Sequence, residues 1–124
     1  MPRPGPSFWT LRRARFADAG RGALHVLTRE VHGRLHLLAA TVVFTAAALL
    51  GVPPAHWALL IVAVGAVLTA EAINSALEQL ADALHPGHHP GIGRAKDMAA
   101  GAVLLAAITA CVLGGFVFVP ALLR

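Results

Sequence analysis

Ala55-His-Trp57-Ala-Leu-Leu-Ile-Val-Ala-Val-Gly-Ala-Val-Leu-Thr-Ala70 carries no Lys, Arg, Asp or Glu. It continues without a breaker into Glu71-Ala-Ile-Asn74-Ser75-Ala-Leu-Glu78-Gln-Leu-Ala-Asp82. The first half suits hydrocarbon, and the second keeps the same helical register while adding polar groups. One helix, 55–84, therefore crosses a bilayer and emerges at its polar end. Two further apolar runs flank it. Leu35 to Val52 has no charge and spans roughly 27 Å as a helix, enough for a thin bilayer core. Met98 to Val119 is the third, closed by Pro120. The sequence predicts an all-α integral membrane protein with membrane helices over 35–52, 55–84 and 96–120. Its 124 residues allow one domain, with a 57% hydrophobic, 13% charged composition far from the soluble average of about 25% charged.

Charge is placed unevenly. Of ten Lys and Arg residues, seven precede Leu35: Arg3, Arg12, Arg13, Arg15, Arg21, Arg29 and Arg34. A basic arm of this kind suits nucleic acid or anionic lipid, and the apolar spans behind it favour lipid. Residues 1–10 hold three prolines and read as a disordered tail. Over 11–33, Phe16, Ala19, Ala23, Val26 and Leu27 recur at helical spacing between arginines, the pattern of an amphipathic helix lying in the membrane interface. The arm and the loop carrying Arg94 and Lys96 are assigned to the cytoplasmic side by the positive-inside rule. The arm shows no cleavable signal pattern. The lone Cys111 allows no intrachain disulfide and reads as a small apolar side chain.

The polar end of 55–84 holds the candidate chemistry. Relative to Glu71, Asn74 sits at roughly −60°, Ser75 at +40°, Glu78 at −20° and Asp82 at +20° on an ideal helix. Ile73, Ala76, Leu77, Leu80 and Leu84 take the other side. Carboxylates near hydrocarbon cost at least about 2.5 kcal/mol each, and they are kept where they face a cavity, a partner charge or a metal. Mg²⁺ suits such a set, because it takes one or two carboxylates and completes its shell with nucleotide phosphates. A bland role is open to each residue. Asn74 and Ser75 suit helix–helix hydrogen bonds, and Asp82 suits a solvated helix end. Glu30 suits either a surface pair with Arg34 or a reach to the second membrane helix as a metal ligand. Asp97 suits the start of the third helix on dipole grounds, or a nucleotide contact with Lys96 supplying charge to phosphate. His85, His88 and His89 lack zinc spacing, and no Walker A motif is present.

Glu71-Ala-Ile-Asn74-Ser-Ala-Leu-Glu78, then Asp82, then Ala95-Lys96-Asp97-Met-Ala-Ala-Gly-Ala-Val103, resembles the signature of the prokaryotic diacylglycerol kinase and undecaprenol kinase family. Phe16, Ala19, Arg21, Gly22, Glu30, Arg34 and His36 fall at that family's spacings as well, so the resemblance covers about residues 16 to 119. It implies a homotrimer in the bacterial inner membrane that transfers the γ-phosphate of MgATP to a lipid hydroxyl, on diacylglycerol or on undecaprenol. It implies Glu71 as general base and Glu30 and Glu78 as Mg²⁺ and nucleotide ligands. His89, Lys96 and Asp97 become nucleotide contacts, and Arg34 and Asn74 join Glu71 at the lipid substrate. Three positions depart from the family pattern: Asp18 in place of Tyr, His32 in place of Asn, and Gly87 in place of Glu. They bear on nucleotide and lipid contacts. A reading of another class is an oligomeric cation-conducting or scaffold protein whose carboxylates line a pore.

Overall fold

The computed structural model of the chain describes residues 8–124. It holds α1 (Phe8–Arg29), α2 (Val31–Leu49), α3 (Pro54–Leu84) and α4 (Pro90–Leu122). The last three are long and apolar enough to cross a membrane. At 31 and 33 residues, α3 and α4 are about 46 and 50 Å long, well beyond a hydrocarbon core of about 30 Å. Both are therefore longer than a crossing of that core needs, and the polar residues of α3 occupy its C-terminal part.

The helix boundaries differ from the sequence expectation in five places, most of them with a local cause. Residues 8–10 are helical and belong to α1, while the disorder expected for 1–7 lies outside the described residues. The break between the first two helices falls at Glu30, whose extended backbone (φ −78°, ψ 138°) ends α1 and caps α2. Its carbonyl accepts the Arg34 N–H at 3.1 Å, the first hydrogen bond of α2. The end of α2 comes at Leu49 rather than Val52. Gly51 takes φ 61°, a left-handed conformation that costs glycine little, and the chain turns back on itself. The Gly51 and Val52 N–H groups bond the carbonyls of Ala48 and Ala47, the paired bonds of a Schellman stop. Pro53 and Pro54 then start α3, where proline's missing N–H is no loss.

The α4 helix begins at Pro90 rather than 96, and for the same reason: proline suits the first turn. His89 Nδ1 caps that turn by accepting the Gly91 N–H at 3.1 Å. At the far end Pro120 lies inside α4 instead of closing it. So near the terminus its ring removes only its own bond, and the Leu123 N–H still reaches the Val119 carbonyl at 3.2 Å.

The α3 and α4 helices pack along their length, with α2 against α3 and α1 folded back on α2. Gly33 permits that fold. A Cβ there would lie 2.0 Å from the Val26 carbonyl oxygen, so no larger residue fits between the two helices. Ala47, Val52, Leu60 and Val117 form a small core at the end remote from Glu71. Phe44 and Trp57 stack beside it with ring centroids 6.0 Å apart, and the Trp57 indole N–H donates to the Val52 carbonyl. Val117 is the one buried residue of α4, and Leu104, Leu105, Ile108, Val112 and Phe116 are exposed. Such a surface is suited to lipid or to another apolar helix, not to water.

Candidate functional site

The polar stripe of α3 turns inward. Glu71, Asn74 and Ser75 are buried, Glu78 is half-buried and Asp82 is exposed. Ile73, Ala76, Leu80 and Leu84, on the other side, are exposed. Burial thus decreases toward the C-terminal end of α3. Glu71 is only 3% exposed and is held from two directions. Ser75 Oγ lies 3.4 Å from its Oε1, and His36 Nε2, on α2, lies 4.0 Å from its Oε2. Neither contact is close, so the carboxylate keeps acceptor capacity for an incoming hydroxyl. Asn74 Nδ2 donates to Glu78 Oε1 at 3.3 Å, while Asn74 Oδ1 is buried with no hydrogen-bond partner among the described residues. A buried acceptor without a partner costs about 1–3 kcal/mol, a cost that a donor on an incoming substrate removes.

Glu30 reaches the same region from the α1–α2 elbow. Its Oε1 accepts from Gln79 Nε2 at 2.8 Å and lies 3.4 Å from His25 Nε2. The pair with Arg34 that the sequence left open to Glu30 does not form; the side chain instead meets Gln79 on the second membrane helix. Arg34 is exposed and has no ion-pair partner among the described residues. Lys96 lies on α4 and bonds Asp82 at 2.5 Å, tying the C-terminal part of α3 to the N-terminal part of α4. Asp97 is exposed and, with α4 starting at Pro90, lies beyond the first turn; the helix-dipole role does not apply to it. His89 is also exposed and serves as the α4 cap, with His85 packed edge-on at 5.5 Å.

The structure therefore sets Glu71, Asn74 and Glu78 along one face of α3 and bonds Glu30 to Gln79 of the same helix, with Lys96 joined to that helix through Asp82. Arg34, Asp97 and His89 are not drawn into the cluster by any hydrogen bond or ion pair with it. Gln79 and His25 are partners that sequence reasoning missed. Gln79 follows Glu78 directly, but nothing in its spacing shows that a residue from the elbow lands on it.

Among the described residues no three His, Cys, Asp or Glu side chains gather as a metal cage. That is compatible with Mg²⁺ held jointly by protein and nucleotide, which needs only one or two protein carboxylates. Glu30 and Glu78 supply hard oxygen donors, and the Glu30–Gln79 bond brings the elbow to the residue beside Glu78. The donor set fits. Next to Glu71 opens a groove of about 460 Å³ between α2, α3 and α4. His36 stands on its wall. The rest of the lining is mainly small or apolar, including Ala39, Ala40, Val67, Ala107 and Gly114.

The sequence profile of the family "Prokaryotic diacylglycerol kinase" matches residues 17–118. An undecaprenol kinase from Bacillus subtilis is 33% identical over 107 residues, covering 86% of this chain and 87% of that protein. A diacylglycerol kinase from Synechocystis is 37% identical over 109 residues, covering 87% of this chain and 62% of that protein. These matches place the protein among the prokaryotic lipid kinases of the membrane. Within that class, the chain belongs to the prokaryotic diacylglycerol kinase family.

Proposed function

We propose that this protein transfers the γ-phosphate of ATP, with Mg²⁺, to the hydroxyl of a membrane lipid alcohol: diacylglycerol, giving phosphatidic acid, or undecaprenol, giving undecaprenyl phosphate. The observation that carries the reading is the buried Glu71 carboxylate beside an apolar groove in a chain with three membrane-spanning helices. A primary hydroxyl is a weak nucleophile, and a carboxylate within hydrogen-bond reach can take its proton as the oxygen attacks. Glu71 is the deepest acid on α3, so a lipid hydroxyl at the interface meets it first. Its burial excludes water, the competing acceptor of phosphate.

Glu30 and Glu78 would hold Mg²⁺ together with the nucleotide. When bound, the ion neutralises charge on the phosphate oxygens. Asn74 orients Glu78 through its amide N–H. Lys96, released from or shared with Asp82, supplies a positive charge for phosphate, and His89 and Asp97 take the adenine-nucleotide side. Arg34 borders the lipid headgroup. We assign α1 to the cytoplasmic interface, with Ala23, Val26 and Leu27 turned to Leu68, Ala72 and Ile73 of α3, with which they share a recess. The exposed apolar face of α4 supports assembly as a homotrimer in the cytoplasmic membrane.

Both lipid substrates are named among the relatives, one in each. The test is transfer of labelled γ-phosphate from ATP in detergent micelles, with diacylglycerol and undecaprenol offered separately. Label in either lipid supports the kinase and identifies its acceptor. Label in neither, from correctly inserted protein, overturns it in favour of a pore or scaffold.

A further inference from the structure

His36 Nε2 faces Glu71 Oε2 across 4.0 Å. A direct hydrogen bond needs about 2.7–3.2 Å, so the two are not bonded. The gap is the width that one hydroxyl oxygen bridges when it sits about 2.8 Å from each atom. We propose that the lipid hydroxyl occupies this gap, and that His36 is a further substrate-contacting residue, facing Glu71 across the reacting group. The inference rests on the kinase reading above and adds to it the seat of the reacting group.

Three observations support the assignment. Ser75 already faces Glu71 Oε1, so Oε2 is the oxygen left for a substrate. Among the described residues no other side-chain nitrogen pairs with Glu71: Lys96 is engaged by Asp82, and Arg34 is exposed. His36 also lines the apolar groove between α2, α3 and α4, and among the described residues it is the only nitrogen-bearing side chain on that lining. A lipid whose chain lies along Ala40, Val67 and Ala107 brings its polar end to His36.

In the seat, the hydroxyl donates its proton to Glu71 Oε2 and accepts the Nε2–H of His36. That requires the imidazole to carry its proton on Nε2. As the oxygen bonds the γ-phosphorus, its O–H bond breaks and the proton stays on Glu71. The bond from that phosphorus to the bridging oxygen breaks, and ADP leaves. His36 holds the oxygen through a fixed donor and takes no proton, so it positions the nucleophile rather than activating it.

The experiment compares wild-type protein with His36→Leu and His36→Gln in micelles, varying lipid and ATP separately and recording the melting temperature. His36→Leu removes the donor, and His36→Gln places an amide N–H close to the position of Nε2. We expect His36→Leu to lower kcat/KM for the lipid about tenfold, the effect of one hydrogen bond. KM for ATP and the melting temperature should stay at wild-type values, and His36→Gln should recover most of the loss. Wild-type lipid kinetics in His36→Leu would overturn the inference while leaving the kinase intact. So would a loss that moves ATP affinity and melting temperature together and is not recovered by Gln, because that pattern marks packing alone. Absence of lipid phosphorylation in the wild-type protein is a different result, and it removes the kinase reading itself.

Discussion

Glu71 and Glu78 stand on one face of one helix, yet their surroundings differ. Glu71 is buried between Ser75 and His36, whereas Glu78 is half-buried and bonded to Asn74. Neutralising each should therefore fail in a different way. Glu71→Gln keeps shape and an acceptor but loses the basic carboxylate. Turnover should fall by about 10²–10⁴-fold, the usual contribution of a general base, with nucleotide affinity nearly unchanged. Removing a buried charge should leave the protein as stable as before or more so. Glu78→Gln should instead raise the Mg²⁺ concentration needed for half-maximal activity. Turnover titrated against Mg²⁺ and against lipid separates the two. The same Mg²⁺ dependence in both mutants would remove Glu78 from the metal site, and near-normal turnover in Glu71→Gln would remove Glu71 as base.

At the scale of elements, the elbow between α1 and α2 decides whether Glu30 meets α3. Two features make it: the extended backbone of Glu30 and the close approach that Gly33 allows to Val26. In Gly33→Ala the new methyl would meet a backbone carbonyl, which cannot rotate away as a side-chain end could. The α1 helix must shift, at a cost of about 1–3 kcal/mol, the range for overpacking. The Glu30–Gln79 bond should be lost with it. A lower melting temperature, together with faster tryptic cleavage after Arg29, is the expected outcome. An unchanged melting temperature and cleavage rate would show that the elbow yields without opening.

For the molecule as a whole, orientation in the bilayer must place α3's polar end on the side that holds ATP. Lys and Arg flank the spans almost entirely on the side of α1 and the α3–α4 connection. In a Cys111→Ala background, a cysteine replacing Gly87 should be shielded from an impermeant thiol reagent in intact cells. One replacing Ala55, in the first turn of α3 next to the α2–α3 connection, should react. Gly87 suits the test because added bulk there meets nothing closer than His85 at 3.8 Å. The reverse labelling pattern would put Glu71 out of reach of cytoplasmic nucleotide.

The three membrane helices and the polar stripe of α3 were legible in the sequence, because both are one-dimensional properties. A hydrocarbon solvent demands long uncharged runs, and helical periodicity puts Glu71, Asn74, Ser75 and Glu78 on one face whatever surrounds them. Helix ends were less legible. Pro90 and Pro120 read as breakers, but a proline in the first or last turn removes no bond that the helix needs to persist. What only the tertiary structure decided is which groups meet across the helices. Glu30 lies on Gln79 rather than Arg34, Lys96 on Asp82, and His36 opposite Glu71. Those meetings depend on the angle of an elbow and on the register of antiparallel helices. Both are set by close contacts such as Gly33 on Val26, which leave no periodic trace in the chain.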